Sequence, residues 1–174
     1  ITYLPVDAQG VVALNDVKQA LREDTVLVSI MHVNNEMGAV QPIEAFARLI
    51  HEESRAHFHV DAVQSYGKLP VHFNGDAGPD SIAISAHKIH ALKGTGLIAF
   101  RKQPMLTAQI VGGGQEFGKR SGTVAVAQNV VFAKAMRIAF DEREQHFANY
   151  LKWRHHIVAT LLQLPDVKVI STKQ

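Results

Sequence analysis

The feature that most constrains the fold of this chain is the alternation of strand-like apolar runs with helical patterns. Runs of the strand type lie at residues 25–31, 56–60, 81–85 and 97–101. The run at 25–31 is almost continuously apolar, which is typical of a strand buried on both faces. Strands that alternate with helices predict an α/β fold with a mostly parallel sheet flanked by helices.

Helical spacing of apolar residues occupies the segments between these runs. Asn15 is the predicted N-cap of a first helix, and Pro42 predicts the start of a second. From Thr123 the pattern is helical almost to Pro165. The sheet is therefore expected to be followed by one long helix, or by two helices in succession.

Two further apolar segments, Ile1–Leu4 and Val167–Ile170, are predicted to be strands near the two ends of the chain. The second would have no strand partner left, so a domain boundary is predicted within the helical stretch. We expect residues 1–145 to belong to one domain and residues 146–174 to begin another. The chain starts without Met and ends abruptly, and we therefore expect it to be a fragment of a longer protein.

The composition argues against several classes of protein. Among the 174 residues there is no cysteine, which excludes disulfides, thiolate metal sites and a cysteine nucleophile within this chain. The net charge of +2 is spread over scattered Lys and Arg, so no nucleic-acid partner is predicted. No apolar run approaches the roughly 20 residues that span a bilayer, and the N-terminus has no signal peptide. We expect a cytoplasmic protein without a membrane partner.

Polar and ionisable side chains follow three of the predicted strands, at the point where each strand ends. In α/β sheets, ligands bind beyond the carboxyl ends of the strands, so these residues are candidates for a site. The set comprises His32, Asn34, Asn35 and Glu36 after the first run, Asp61 and Gln64 after the second, and Ser85, His87 and Lys88 after the third. The histidines show no convincing metal spacing, and no metal site is predicted.

A lysine, an aspartate, amides and a hydroxyl at such a site suit one cofactor in particular. A lysine amine forms a Schiff base with an aldehyde, and its pKa shifts readily on burial. An aspartate can keep a ring nitrogen protonated. Pyridoxal 5'-phosphate has an aldehyde, a pyridine nitrogen, a phenolic oxygen and a phosphate, and its usual setting is a lysine Schiff base with an acidic partner for the ring nitrogen.

Four segments of the chain resemble one enzyme family. They are MHVNNEMGAVQPI, HVDAVQSYGKLPV, SAHKIHALKGTG and GGGQEFGKRSGT. In this order they are similar to the cysteine desulfurases of the NifS/IscS type, which belong to fold-type I and to class V of the aminotransferase-like enzymes. The resemblance runs through about residues 1 to 140. It implies that residues 1–145 are the second half of the cofactor-binding large domain and that residues 146–174 begin the small domain.

The resemblance implies roles for residues around the cofactor ring. Lys88 matches the lysine that forms the Schiff base and moves protons, whereas a lone lysine here would otherwise be a solvated loop residue. Asp61 matches the carboxylate that pairs with the pyridine nitrogen, although an aspartate at a strand end is also common in turns. Gln64 and Asn35 match the amides near the phenolic oxygen, with a surface glutamine and an ordinary turn as the alternatives.

The resemblance also implies how the phosphate is bound. Ser85 and His87 match groups that bind it, and a structural role for His87 is the alternative. Thr123 matches a threonine that reaches the phosphate of the neighbouring subunit, which implies a homodimer with shared cofactor sites. Ser121 and Thr123 could equally cap the long helix that follows. The two roles are compatible, because helix N-termini attract phosphate.

The sequence departs from the family in two ways. Ala86 stands where glycine is usual, and Phe117 stands where arginine is usual. The family also has a cysteine on a later loop that accepts sulfur from L-cysteine, and this chain has no cysteine. The parent reaction implied is conversion of L-cysteine to L-alanine, with the sulfur passed as a persulfide to an acceptor protein. The chain alone is expected to be inactive.

Three alternatives stay open at this point. The chain could come from another class V enzyme, such as a selenocysteine lyase or an aminotransferase. It could be a non-catalytic remnant that acts as an interaction module. It could be an α/β binding protein unrelated to pyridoxal phosphate, but the ordered set of Asp61, Gln64 and Lys88 would then have no explanation.

Overall fold

The computed structural model of the protein describes residues 1–102 and 106–170. The observed elements are, in chain order, α1 (Leu14–Ala20), β1 (Leu27–Met31), α2 (Ile43–Glu53), β2 (His57–Asp61), β3 (Ser81–Ser85), a 3-10 helix (Ala86–Ile89), β4 (Gly96–Phe100), a short 3-10 helix (Glu116–Gly118), α3 (Val126–Asp141) and α4 (Arg143–Leu161).

The four strands form one sheet in the order β1-β2-β3-β4. β1 and β2 are parallel, β2 and β3 are parallel, and β3 and β4 are antiparallel. Two of the three pairings are thus parallel, which confirms the predicted mostly parallel α/β sheet. The antiparallel pairing arises because only the short 3-10 helix and a turn connect β3 to β4, and a parallel crossover needs a dozen or more residues.

The hydrophobic core is formed by apolar side chains of the sheet and of the helices that pack with it. α2 is amphipathic and buries one apolar side, and α1 packs beside it. α3 packs against the 3-10 helix that follows β3. The largest buried apolar side chains of this core are Phe46 and Ile50 of α2, Phe58 and Val60 of β2, and Val17 of α1.

Several predicted boundaries are wrong. Ile1–Leu4 and Val167–Ile170 are irregular rather than strands. An apolar segment becomes a strand only where another strand accepts its hydrogen bonds, and neither segment has such a partner among the described residues. Asn15 lies inside α1, and the N-cap position is Ala13.

The helical stretch after Thr123 consists of the two helices α3 and α4, separated at Glu142. The predicted boundary between residues 145 and 146 falls within α4, and the division into two domains stays a prediction. In the part of the chain that the structure describes, no helix has both the length and the apolar character needed to cross a membrane.

Candidate functional site

The carboxyl ends of β1, β2 and β3 lie side by side at one edge of the sheet. Met31 at the end of β1 is in register with Asp61 at the end of β2, and Asp61 is in register with Ala83 of β3. The His32 amide donates to the Asp61 carbonyl at 2.8 Å, which keeps the strand ends together. Because the three strands run parallel, the polar segments that follow them meet at this edge.

Asp61 and Gln64 lie in the tight turn that follows β2. Asp61 Oδ1 accepts a hydrogen bond of 2.8 Å from the Val63 amide, an arrangement that closes the turn. The second carboxylate oxygen of Asp61 and the side-chain amide of Gln64 make no hydrogen bond with the residues that the structure describes. Both side chains are half-buried, so each keeps a free polar group at the sheet edge.

Asn34 and Asn35 lie in the turn after β1, and their side chains make different contacts. Asn34 Oδ1 accepts hydrogen bonds from the amides of Glu36 and Met37, at 2.9 and 2.8 Å. Asn34 therefore stabilises the turn itself. Asn35 is exposed and leaves its amide available.

Ser85, His87 and Lys88 are brought together where β3 passes into the 3-10 helix. Ser85 Oγ and His87 Nδ1 are joined by a hydrogen bond of 2.8 Å. His87 and Lys88 are exposed, whereas their neighbours Ala86 and Ile89 are buried and anchor the helix. Lys88 makes no hydrogen bond or ion pair with any residue in the described ranges. Its amine is thus left without a protein partner in the described part of the chain.

Thr123 is exposed and contacts none of these residues through a hydrogen bond in the described structure. The prediction that Ser121 or Thr123 caps the long helix is wrong, because α3 begins at Val126 with Ala125 as N-cap and without a side-chain cap. Ser121 is instead buried and its Oγ accepts a hydrogen bond of 3.2 Å from the Gly114 amide. The role of Thr123 toward a neighbouring subunit stays a prediction.

A histidine network beside Asp61 was not predicted. His57 Nε2 and His59 Nδ1 lie 2.7 and 2.8 Å from Ser81 Oγ. One hydroxyl has one proton, so Ser81 donates to one ring and accepts from the other. The pKa of His59 is lowered, and burial is the main cause. The charge of Asp61 raises this pKa by a smaller amount, and His57 lowers it further. The alternation of His57 and His59 was visible in the sequence, but their common partner is 22 or more residues away.

Two more polar residues have lowered pKa values: His32, which belongs to the predicted candidate set, and Lys68, which was not predicted. His32 is half-buried, its buried Nδ1 has no hydrogen-bond partner among the described residues, and burial lowers its pKa to about 4. Lys68 follows the Asp61 turn, and its pKa is lowered first by burial and then by the charge of Lys88. No local pattern in the sequence distinguishes Lys68 from a surface lysine. In the described ranges, no group of three His, Asp or Glu side chains could hold a metal ion.

Comparison with known proteins identifies the family of the chain. A sequence model of the family "Aminotransferase class-V" matches residues 1–174. The chain belongs to the class V aminotransferase family.

Curated members of this class V family with similar sequences are named cysteine desulfurases. "Cysteine desulfurase IscS" of Photobacterium profundum is 43% identical over 171 residues, which is 97% of this chain and 42% of that protein. "Cysteine desulfurase, mitochondrial" of Candida albicans is 44% identical over 170 residues, or 97% of this chain and 34% of the relative. The chain thus spans less than half the length of these relatives.

A solved structure shares the fold of this chain. The structure titled "NIFS-LIKE PROTEIN" superposes with a TM-score of 0.89 at 41% identity, covering 94% of this chain and 45% of the other. The resemblance to NifS/IscS-type proteins is therefore confirmed, as is the predicted fold class.

Proposed function

We propose that this chain carries part of the cofactor-binding domain of a cysteine desulfurase that uses pyridoxal 5'-phosphate. The whole protein would convert L-cysteine to L-alanine and pass the sulfur as a persulfide to an acceptor protein, for iron-sulfur clusters or thio-cofactors. The class V membership and the names of the relatives support this proposal. The chain on its own lacks the cysteine that would accept the sulfur, and we expect it to be inactive alone.

The observation that carries the proposal is the free amine of Lys88 at the common edge of three parallel strands. Lys88 lies on a 3-10 helix that is anchored by its buried residues Ala86 and Ile89. The position of the Lys88 backbone is therefore defined, although its side chain is exposed. Asp61 ends the adjacent strand, and Ser85 and His87 lie three residues and one residue before Lys88.

The groups present fit pyridoxal phosphate. The cofactor offers an aldehyde, a ring nitrogen, a phenolic oxygen and a phosphate. Three polar groups at the site lack partners among the described residues. They are the amine of Lys88, one carboxylate oxygen of Asp61 and the side-chain amide of Gln64. The hydroxyl and imidazole of the Ser85–His87 pair are already oriented toward each other, and together they suit a phosphate oxygen.

Each residue then has a distinct task. Pyridoxal phosphate, when bound, supplies an aldehyde carbon for an amine and a ring that accepts electrons. Lys88 provides that amine and moves a proton to and from the substrate. Asp61, held through Oδ1, uses its second carboxylate oxygen to keep the ring nitrogen protonated. Gln64 and the exposed Asn35 donate to the phenolic oxygen.

We further propose that the functional form is a homodimer in which Thr123 contacts the phosphate bound by the other subunit. The exposure of Thr123 is compatible with this role. The division into a large domain up to residue 145 and a small domain from 146, and the cytoplasmic localisation, stay proposals of the same kind.

Chemical trapping tests the proposal directly. The protein is mixed with pyridoxal phosphate and reduced with borohydride, and the modified lysine is mapped by mass spectrometry together with the intact mass. We expect one cofactor per chain on Lys88. The variant Lys88→Met should lose the label, and the matched variant Lys93→Met, at an exposed lysine five positions on, should keep it. Labelling spread evenly over exposed lysines would contradict the proposal.

The alternatives are separated by substrate. Full-length protein that releases alanine and sulfane sulfur from L-cysteine is a desulfurase, and a preference for L-selenocysteine indicates a selenocysteine lyase. Transfer of the amino group to a keto acid indicates an aminotransferase. A protein that labels Lys88 selectively but processes none of these substrates would favour the non-catalytic alternative.

A further inference from the structure

A small cleft lined by both apolar and ionisable side chains lies between Lys88 and the helices α3 and α4. It lies between the turn after β2, the 3-10 helix after β3 and the two helices, and its volume is about 160 Å³. Its wall is apolar where Ile89 and Ala139 line it. The ionisable side chains that line it are Tyr66, Lys68, Lys88, His90, Glu142, His146 and Tyr150.

A hydrogen bond holds the Lys68 side chain at this cleft, but it does not neutralise the charge of the ammonium group. Its Nζ donates a hydrogen bond of 3.1 Å to the Gln64 carbonyl, a neutral acceptor. An ammonium group has three donors, so two remain for another partner. The side chain is half-buried, and both influences on its pKa, burial and then the charge of Lys88, favour loss of the charge.

The positive charge of the cleft is not balanced by the protein groups around it. Among the described residues, Glu142 is the single carboxylate that lines the cleft, and its Oε2 is paired with His146 Nε2 at 3.4 Å. Neither Lys68 nor Lys88 forms an ion pair with a described residue. Two like charges that share a partly desolvated cleft repel each other, and an anion between them removes this cost.

The size of the cleft limits the anion. Sites for drug-sized ligands measure about 300–1,000 Å³, and this cleft is smaller. It therefore suits a small oxyanion rather than a whole cofactor. Lysine binds phosphate as a point charge and needs no fixed planar geometry, which matches two flexible side chains on different segments.

We propose that Lys68 and Lys88 bind a small oxyanion of the phosphate class in this cleft. The site is separate from the Ser85–His87 pair, to which the proposed function assigns the cofactor phosphate, and it gives Lys68 a task that the proposed function does not. The oxyanion stabilises the protonated amine of Lys88, so it slows the reaction of Lys88 with an aldehyde.

Protection of lysines from acetylation tests this site without the cofactor. The protein is treated with a limiting amount of acetylating reagent at neutral pH, with and without inorganic phosphate at constant ionic strength, and the rates are read by mass spectrometry. Phosphate should protect Lys68 and Lys88 and leave the exposed Lys93 unchanged. Equal rates at Lys68 with and without phosphate would overturn the proposal.

Variants at Lys68 extend the test. Lys68→Met should weaken phosphate binding about tenfold or more, which is the loss expected for one charge-assisted hydrogen bond. The protection of Lys88 from acetylation measures this binding. Lys68→Arg keeps the charge and should retain most of the protection, and Lys93→Met should behave as the unaltered protein. Equal protection of Lys88 in the Met and Arg variants would count against the site. If Lys68→Met does not fold, the Arg variant and the unaltered protein still decide.

The source of the oxyanion is distinguished by two further arms. In the first arm, pyridoxal phosphate is compared with pyridoxal, which has no phosphate. If only pyridoxal phosphate protects Lys68, the ligand is the phosphate group of a cofactor. Protection by inorganic phosphate alone would identify free phosphate. A failure of the proposed function appears separately, as loss of selective Lys88 trapping by pyridoxal phosphate, because the phosphate experiment contains no aldehyde.

Discussion

Gly67 and Ala139 lie so close that a Cβ atom built on Gly67 would stand 2.8 Å from the Cβ of Ala139. Gly67 also has φ +75, a left-handed conformation. The neighbouring Tyr66 hydroxyl donates to the Met136 carbonyl at 3.3 Å. The turn that carries Asp61 and Gln64 is therefore docked directly on α3, and glycine at position 67 permits this contact.

We predict that Gly67→Ala destabilises the protein more than Gly75→Ala does. Gly75 has nearly the same φ, +74, but has open space around it, so its substitution costs only the backbone strain, about 1–2 kcal/mol. Gly67→Ala adds the clash with α3, about 1–3 kcal/mol more. Denaturant unfolding of both variants measures the difference. Equal losses of unfolding free energy would show that α3 is not packed on this turn.

Asp61 offers a way to separate a structural role from a cofactor role. Asp61→Ala removes the acceptor for the Val63 amide and should cost about 1 kcal/mol of unfolding free energy. Asp61→Asn keeps an oxygen at that position and should cost less. Both variants lose the negative charge, so both should bind pyridoxal phosphate about tenfold or more weakly, as measured by absorbance titration. Cofactor binding by Asp61→Asn equal to that of the unaltered protein would contradict the pairing with the ring nitrogen.

His32 makes stability depend on pH in the acidic range. Burial lowers its pKa from 6.5 to about 4, an effect larger than the opposing influence of Glu44. The unfolded chain therefore takes up a proton near pH 6.5 and the folded protein only near pH 4. Stability is complete above about pH 6.5 and is lost as the pH falls toward 4, by at most about 3 kcal/mol.

We predict that His32→Leu makes this part of the pH profile flatter. The variant also removes the unpaired Nδ1 and should cost little at neutral pH. His155→Asn, at an exposed position on α4, is the matched control and should follow the unaltered protein. The measurement is the free energy of unfolding at several pH values between 4 and 7. Parallel profiles for His32→Leu and the unaltered protein would disprove a buried neutral histidine.

The four strands of the sheet were predicted well because their signal is local. Ser81–Ser85 is observed with the predicted bounds, and β1, β2 and β4 begin or end within two residues of prediction. The predicted burial of β1 on both faces is wrong, because Leu27 and Ser29 are exposed, but a continuous apolar run still favours an extended backbone. Because the strands were predicted, the polar segments around Asp61, Ser85 and Lys88 could be placed at one sheet edge from their order alone.

The errors concern features that depend on a partner distant in the sequence. Ile1–Leu4 and Val167–Ile170 have strand-like composition, but a strand exists only when a neighbouring strand takes up its hydrogen bonds. Asn15 is a good cap by residue type, yet α1 begins at Leu14 and places Asn15 inside the helix. Thr123 precedes a helix in the sequence, but that helix begins three residues later, at Val126.

The amino-acid sequence alone was sufficient for the α/β class, the positions of the four strands along the chain and the candidate groups that follow them, because these depend on periodicity and on residue type. The packing of the folded chain set the pKa of His32, joined Ser81 to His57 and His59, and placed Lys68 in one cleft with Lys88. These relationships depend on distances between segments that are 20 or more residues apart. Local propensity contains no information about such distances, since they arise only when the sheet, the turn after β2 and α3 pack together.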